Sequence, residues 1–498
     1  MKVLSAKEIR KWDAFTIKTE PLSSINLMER AAAACVKWIL NHNFFETTFA
    51  IFCGPGNNGG DGLAIARMLL KEGFHVNIFI ITSKKYSPNF IINLNRLKKR
   101  KACVTELADK SLPPQIENSV VIDAIFGTGL HHPADGIYKK IIGQLNNLGC
   151  TIIAIDMPSG LDADNHTKQK EAIVRAQFTL TFQCYKTALL MPENAAFTGE
   201  VVLLDIQLNP DFLNIVDSKY AVTDLAQIKT ILRPRSAISH KGNFGHALLI
   251  AGSKGKIGAA LLATKACLRS GAGLTTLFTP ACGYSIAQTS IPEAMCLADA
   301  NENFITSMAE LTPYSAIGIG PGIGEHQDTF AALTKAIDAG KSMVLDADAL
   351  NMLAKNKNWL KRLPHQTILT PHAKEFARLF GKCNSDFDCF KLQLQVSAIY
   401  NIVIVFKGRF TRITTPAGEC FFNPTGNAGL AKGGSGDVLT GIIAALLAQG
   451  YSAKDAAIAG VYLHGLAADL ALPKYGTYSL LATDVIKNLG NAFIKITT

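Results

Sequence analysis

Charged residues are scarce in this 498-residue chain, at 18% against the ~25% of an average soluble domain. Hydrophobic residues make up 48%. A largely disordered chain is excluded, because such chains hold too little apolar surface to offset their conformational entropy. The 40 glycines show no three-residue period, which excludes collagen. No CxxC pair occurs among the eleven cysteines, and their number is odd. That argues against a disulfide framework and a structural zinc site, and a reducing cytoplasm is the expected compartment. The first residues, Met1-Lys2-Val3-Leu4-Ser5, carry no apolar core of a signal peptide. The longest apolar run, Val438 to Ala448, falls short of the ~20 residues that span a bilayer. Membrane association is not expected.

Basic residues exceed acidic ones only mildly, 50 − 39 = +11. The densest cluster is Lys98-Lys99-Arg100-Lys101. A solvated helix end is the usual meaning of such a run; a patch for nucleic acid or an anionic substrate is the other. At ~150 residues per domain, two or three domains are expected.

What the chain has in abundance is short runs of Val, Ile and Phe. In the first half they predict strands at 49–53, 76–81, 120–125, 151–155, 178–182 and 200–204. Leu63, Arg67 and Leu70 lie on one face of a helix after the first strand. In the second half strands are expected at 247–250, 274–279, 316–319, 343–345, 367–369 and 402–406. A hairpin, 411–415 and 420–422, turns at Pro416-Ala417-Gly418. Strands alternating with helices imply parallel sheets covered on both faces. The polar, weakly periodic stretch Asn209–Arg235 places a domain boundary near residue 215.

Ligands of such sheets bind beyond the carboxyl ends of the strands, and the loops there are unusual. Gly54-Pro55-Gly56-Asn57-Asn58-Gly59-Gly60-Asp61-Gly62 has five glycines in nine residues. It lets backbone approach a ligand and aims helix amides at it, which suits phosphate. It is not a P-loop, since GxxxxGK[ST] is absent. Asp123 precedes Gly127-Thr128-Gly129-Leu130, and the next strand ends in Asp156-Met157-Pro158-Ser159-Gly160-Leu161-Asp162. Asn58, Asp123 and Ser159 offer oxygens from three successive strand ends to a hard cation. Their low total charge suits a monovalent ion; singly, each is an ordinary turn or cap residue.

These motifs, with Asn26-Leu27-Met28-Glu29-Arg30-Ala31-Ala32, resemble the N-terminal YjeF domain, an NAD(P)H-hydrate epimerase. The resemblance covers residues 1 to about 213 and implies a Rossmann-like three-layer fold. It implies that Asn57, Asn58, Gly59, Gly60, Asp61, Gly127, Thr128, Gly129, Leu130, His131, His132, Pro133 and Asp156 contact the hydrated nucleotide. It implies potassium at Asn58, Asp123 and Ser159. Asp156, beside the glycine loop, is the expected acid/base residue.

In the second half, Lys254 and Lys256 face a phosphate or are exposed turn lysines. Gly320-Pro321-Gly322-Ile323-Gly324, Leu345–Asn351 and Thr370–Glu375 end successive strands. The strongest signal is Asn423–Asp437, where Gly433, Gly434 and Gly436 precede an apolar helical stripe of Val438, Leu439, Ile442, Ile443, Leu446 and Leu447. Amides and helix dipole there make an anion hole for a transferring phosphoryl group, with Asp437 placed to take a proton or to cap the helix.

This half looks like a ribokinase-type α/β fold. His240–Gly245, Gly252–Gly258, Asp346–Asn351, Thr370–Glu375 and Gly426–Gly441 resemble the C-terminal YjeF domain, the ADP-dependent NAD(P)H-hydrate dehydratase, over residues 221–498. The resemblance implies hydrate contacts at Ala259, Gly322, His372 and Asp437. It implies nucleotide contacts at Lys407, Gly408, Arg409, Phe410, Thr411 and Gly436, with ADP as co-substrate and Mg²⁺. Ala373-Lys374 stands where the family usually has Pro-Gly, and Arg409-Phe410 replaces the small residues usual after Lys-Gly. The pairing implies metabolite repair: epimerisation of R and S NADHX or NADPHX, then dehydration of the S form with ADP giving AMP and phosphate. A homo-oligomer acting on small molecules, without nucleic acid, is expected. Two alternatives stand beside it. One is a ribokinase-like kinase of a small alcohol, with a nucleotide-binding first domain. The other is a nucleotide-sensing or RNA-associated scaffold using Lys98–Lys101.

Overall fold

Runs of β-branched and aromatic residues form the strands, because such side chains fit a pleated, buried surface. In the computed structural model they build two sheets, one in each of two units. One unit comprises residues 2–218 with 385–387; the other comprises residue 1 with 219–384 and 388–498. The structure describes residues 1–42, 44, 47–108, 116, 119–130, 132–168 and 170–498.

The first sheet has seven strands: β1 (Thr48–Cys53), β2 (His75–Ile81), β3 (Val104–Leu107), β4 (Ser119–Ala124), β5 (Ile152–Ile155), β6 (Phe178–Phe182) and β7 (Glu200–Leu204). All pair in parallel, in the order β3-β2-β1-β4-β5-β6-β7. The central strands β4 and β5 are buried at every position, as a sheet covered on both faces requires. The order reverses between β1 and β4, so the switch-point crevice of this Rossmann-like sheet opens there. Two apolar layers, one on each side, include Leu63 and Ile122 in one and Phe52 and Val121 in the other. Helix Ala6–Thr19 is held at its start by Ser5 and Glu8 in a capping box. Trp12 anchors it further, donating from Nε1 to the Asn209 carbonyl at 2.7 Å.

The second sheet has ten strands: β8 (Tyr220–Val222), β9 (His246–Ile250), β10 (Leu274–Thr279), β11 (Met295–Ala298), β12 (Ala316–Ile319), β13 (Ser342–Leu345), β14 (Ile368–Leu369), β15 (Val403–Phe406), β16 (Arg412–Thr414) and β17 (Cys420–Phe422). Their order is β11-β10-β9-β12-β13-β14-β15-β16-β17-β8. β15, β16 and β17 are antiparallel neighbours, and the remaining pairs are parallel. The α/β expectation holds in both units. Here the switch point lies between β9 and β12.

Two expectations change. The stretch 209–235 is not merely a linker: it contains β8, which pairs with β17. The longest apolar element is not Val438–Ala448. Helix Ala453–Ser479 is long and apolar enough to cross a membrane, but 78% of its most apolar stretch is buried inside the fold. Its geometry also breaks at Gly476, φ 63°.

Candidate active sites

A cavity of about 640 Å³ opens at the carboxyl ends of β1, β4 and β5. Asn57, Asn58, Asp61, Gly127, Thr128, Gly129 and Asp156 all reach its wall. Among the described residues, Gly59, Gly60, Leu130, His132 and Pro133 do not; His131 lies outside the described residues. Gly59 works behind the wall instead. A Cβ there would sit 1.8 Å from the Gly54 carbonyl oxygen, so only glycine lets the loop fold back on its helix.

Asp156 follows β5 in a left-handed backbone conformation, φ 65°, which costs about 1–3 kcal/mol in a non-glycine residue. Lys186, wholly enclosed, donates to Asp156 Oδ1 at 2.6 Å, to Thr181 Oγ1 at 2.8 Å and to the Phe182 carbonyl at 3.0 Å. The other oxygen, Oδ2, faces Gly127: a Cβ built there would lie 3.4 Å from it and 3.1 Å from Asn58 Oδ1. Burial pushes the Asp61 carboxyl well above the usual range, and the charges of Asp156 and Asp13 add to this. Asp13 and Lys186 belong to this wall, and sequence reasoning passed over both.

Asp123 and Ser159 meet across adjacent strand ends. Ser159 donates from Oγ to Asp123 Oδ1 at 2.5 Å and from its amide to Oδ2 at 2.8 Å. Burial pushes the Asp123 carboxyl up to about 6 despite these bonds and one from the Ile125 amide. Asn58 Nδ2 is buried without a hydrogen-bond partner. The Asp123 carboxylate, the Ser159 hydroxyl and the Asn58 amide oxygen are the oxygen ligands here; the unpartnered Nδ2 is a hydrogen-bond donor and offers nothing to a cation. Among the described residues no group of three His, Cys, Asp or Glu side chains forms a metal cluster.

In the second unit, a cavity of about 950 Å³ is lined by His372, Lys407, Gly408, Arg409, Thr411 and Gly436. Asn423, Thr425, Asn427 and His464 complete much of its wall; the first three lie in the run Asn423–Asp437, where sequence reasoning gives them no role, and His464 was not foreseen. Gly434 caps helix Ser435–Ala448 with φ 90°, so Gly436 and Asp437 occupy the first turn, where amides point outward. Asp346, after β13, is fully enclosed and accepts from Lys407 Nζ at 2.8 Å, Thr370 Oγ1 at 2.8 Å and Thr440 Oγ1 at 3.0 Å. Burial alone would raise its carboxyl, but the Lys407 charge and these bonds hold it below the usual range. Asp437 differs. Burial, then the charge of Asp346, push it up to about 6 against the pull of Lys407.

His372 caps helix Ala373–Phe380, its Nδ1 accepting from the Lys374 and Glu375 amides at 3.1 and 3.2 Å. Among the described residues Phe410 is not in the cavity wall; Arg409 lies over its ring at 5.5 Å. Ala259 and Gly322 form a neighbouring corner, where a Cβ at Gly322 would lie 3.2 Å from that of Ala259. Asp348 joins this corner, accepting from the Gly324 amide at 2.9 Å and pairing with Lys256 at 3.4 Å. Among the described residues Asp437 is not in the cavity wall, although its neighbours Ser435 and Gly436 are; it feels the Asp348 charge as well as that of Asp346. Lys256 is largely exposed, and Lys254 is exposed.

Two α/β units, the first with a glycine-rich crevice beside its switch point and the second with a glycine-rich helix start beside Asp346 and Lys407, mark an enzyme with two candidate sites for nucleotide-sized ligands. The family model described as NAD(P)H-hydrate dehydratase matches residues 247–491, and that of the YjeF-related protein N-terminus matches residues 24–188. The bifunctional NAD(P)H-hydrate repair enzyme Nnr of Thermofilum pendens is 32% identical over 510 residues, covering 99% of this chain and 96% of that protein. That of Coxiella burnetii is 32% identical over 493 residues, covering 97% of each. The chain belongs to the family of bifunctional NAD(P)H-hydrate repair enzymes. Among solved structures, the ADP/ATP-dependent NAD(P)H-hydrate dehydratase from Bacillus subtilis, co-crystallised with ATP and Mg²⁺, matches with a TM-score of 0.49 and 33% identity, over 55% of this chain and 98% of that one.

Proposed function

We propose that residues 1–213 interconvert the R and S epimers of hydrated NADH or NADPH. Residues 221–498 then dehydrate the S form, using ADP and releasing AMP and phosphate. The observation that carries this reading is the pair of unlike carboxylates at one helix start: Asp346 locked to Lys407, and Asp437 left to titrate near 6. A kinase-like site needs a proton acceptor at that turn, and dehydration by way of a phosphate ester needs the same one. Hydroxide leaves poorly and phosphate leaves well. Asp437 takes the proton from the ring hydroxyl as its oxygen attacks the β-phosphorus of ADP, and AMP departs. Backbone amides around Gly434 to Gly436 stabilise the developing negative charge. Elimination of the phosphate, with loss of the proton from the neighbouring ring carbon, restores the reduced nicotinamide.

Lys407 and Arg409 supply the positive charge that holds the diphosphate, and Gly408 and Thr411 shape the turn between them. Mg²⁺ would enter with the nucleotide rather than in a protein cage, and its chemistry would be charge neutralisation of the phosphates. Potassium would be held by the oxygens of Asn58, Asp123 and Ser159, where it would offset buried negative charge. In the first domain Asp156, oriented by Lys186, is the acid/base residue that exchanges a proton with the oxygen on the hydroxylated ring carbon. The eleven cysteines are all free thiols, which supports a cytoplasmic working compartment. We take the enzyme to be a homo-oligomer acting on small molecules alone, with neither membrane nor nucleic acid as partner; light scattering gives its state.

The test is recovery of reduced-nicotinamide absorbance from a mixed R and S hydrate with ADP, ATP or no nucleotide. Complete, ADP-dependent recovery is expected. Recovery that stops at the S fraction removes the epimerase assignment, and none with either nucleotide removes both.

A further inference from the structure

Epimerisation of a ring hydrate needs two proton transfers, one at the departing oxygen and one at the arriving water. Asp156 accounts for one, and Lys186 is committed to holding it. The same cavity contains a carboxylate that no sequence motif marks. Asp13 projects from helix Ala6–Thr19, with Ile9, Arg10, Ala14 and Ile17 beside it in the wall. That helix is not part of the sheet scaffold, so it brings Asp13 to the cavity from a different wall than the strand ends that carry Asp156.

We propose that Asp13 is the second proton-transfer residue of epimerisation, acting with Asp156 on the hydroxylated carbon; this rests on the epimerase reading of the first domain. Water adds to the enamine double bond of a dihydronicotinamide so that the hydroxyl sits on the carbon beside the ring nitrogen. Epimerisation breaks that carbon–oxygen bond. The nitrogen lone pair forms the carbon–nitrogen double bond, and the Asp13 carboxyl gives its proton to the oxygen, which leaves as water. The ring carbon is then planar. Water adds to its opposite face, the double-bond pair returns to nitrogen, and Asp156 takes the proton through Oδ2. One proton is given and one recovered, with no oxidant or reductant. Exchange with bulk water resets the pair, and the reverse turnover uses the same groups in exchanged roles.

The electrostatics of the cavity support this division. The charged groups facing Asp13 are Arg10 on its own helix, Asp61 on the helix after β1, Asp156 after β5 and Lys186 after β6. Three carboxyls therefore share one enclosed ammonium. Burial pushes Asp13 up to about 6, the Asp156 charge adds to it, and Lys186 opposes both. A carboxyl in that range holds a proton often enough to donate it at neutral pH.

The experiment is R-hydrate consumption by the full chain, coupled to its own dehydratase, for wild type, Asp13→Asn and Asp13→Glu across pH. Asp13→Asn is expected to lower kcat by about 10²–10⁴-fold, with KM nearly unchanged and S-hydrate dehydration intact. It should also lose the fall in rate that wild type shows as pH rises through about 6. Asp13→Glu should restore part of the rate together with that limb. An Asp13→Asn enzyme within about threefold of wild type, with the same pH profile, overturns the proposal. So does equal loss in both variants with the pH limb preserved, which would make Asp13 structural. A wild-type chain without epimerase activity overturns the underlying reading and the proposal together, and it is recognised before any variant is compared.

Discussion

Lys407 Nζ lies 2.8 Å from Asp346 Oδ1, joining residues 61 positions apart at the ends of β13 and β15. The Asp346 side chain is only 1% exposed. Removing one partner of such a pair leaves the other charge buried and uncompensated, at a cost of about 3–5 kcal/mol. Lys407→Met should therefore lower the melting temperature of the second domain as well as weaken nucleotide binding. Asp346→Asn in the same chain should recover much of the stability and none of the binding. Calorimetry with and without ADP separates the two effects. Binding that survives Lys407→Met would remove Lys407 from the nucleotide site.

Asp437 predicts opposite movements of activity and stability. Its carboxyl is raised to about 6, so it acts as a base only when the pH exceeds that value, and dehydration should rise through about pH 6 to a plateau. A carboxyl raised on folding favours the folded state most below its unfolded value of about 4, and that contribution is lost as pH climbs through about 6. Asp437→Asn removes a charge that is unfavourable at neutral pH. It should abolish dehydration, leave epimerisation intact, and melt above wild type at about pH 7.5, with the gain gone near pH 4. Equal melting temperatures at both pH values would show that the charge of Asp437 is not disfavoured in the fold.

The residues that sequence alone brings forward share one property: they sit in runs where glycine, asparagine or aspartate interrupts an apolar strand. Gly54–Gly62, Asp156–Ser159 and Gly433–Asp437 are of this kind: the first two follow β1 and β5 near the switch point of the first sheet, and the third opens helix Ser435–Ala448. Asp13 and Lys186 are single charged residues on a helix and near a short turn, indistinguishable in sequence from solvated ones. Only the fold brings both into one cavity. Asp346 is visible within Leu345–Asn351 and Lys407 within Lys407–Thr411, but their pairing is not. Three strands escape the periodicity for a related reason. β3 and β11 are edge strands, mostly exposed or half-buried, and three-residue β8 sits within a polar stretch. None buries the alternating face that betrays a strand.

Asp123 carries the potassium assignment. A cation held by Asn58, Asp123 and Ser159 binds only the folded domain, so it should stabilise by mass action. Wild type should melt at higher temperature in potassium chloride than in choline chloride at equal ionic strength. Asp123→Asn should show the same melting temperature in both salts. Potassium-dependent melting that persists in Asp123→Asn would place the ion elsewhere.

Gly59 and Gly60 stand side by side in the loop, yet they predict opposite tolerance. A Cβ at Gly59 meets the Gly54 carbonyl at 1.8 Å, and backbone there cannot yield without moving the loop that carries Asn57 and Asn58. A Cβ at Gly60 meets Met28, with Cε at 2.8 Å and Sδ at 3.0 Å, the far end of a side chain with three rotatable bonds. Alanine in place of a helical glycine also gains about 0.5–1 kcal/mol of backbone entropy, which offsets the movement of Met28. Gly59→Ala should therefore destabilise the first domain by about 1–3 kcal/mol or more and remove epimerisation. Gly60→Ala should stay within about 0.5 kcal/mol of wild type and keep the activity. Urea unfolding followed by tryptophan fluorescence reads this domain well, because Trp12 and Trp38 lie in it and only Trp359 lies outside. Equal losses from the two alanines would mean that Met28 is as immobile as the backbone, and that the loop is packed as tightly on its helix side as on its strand side.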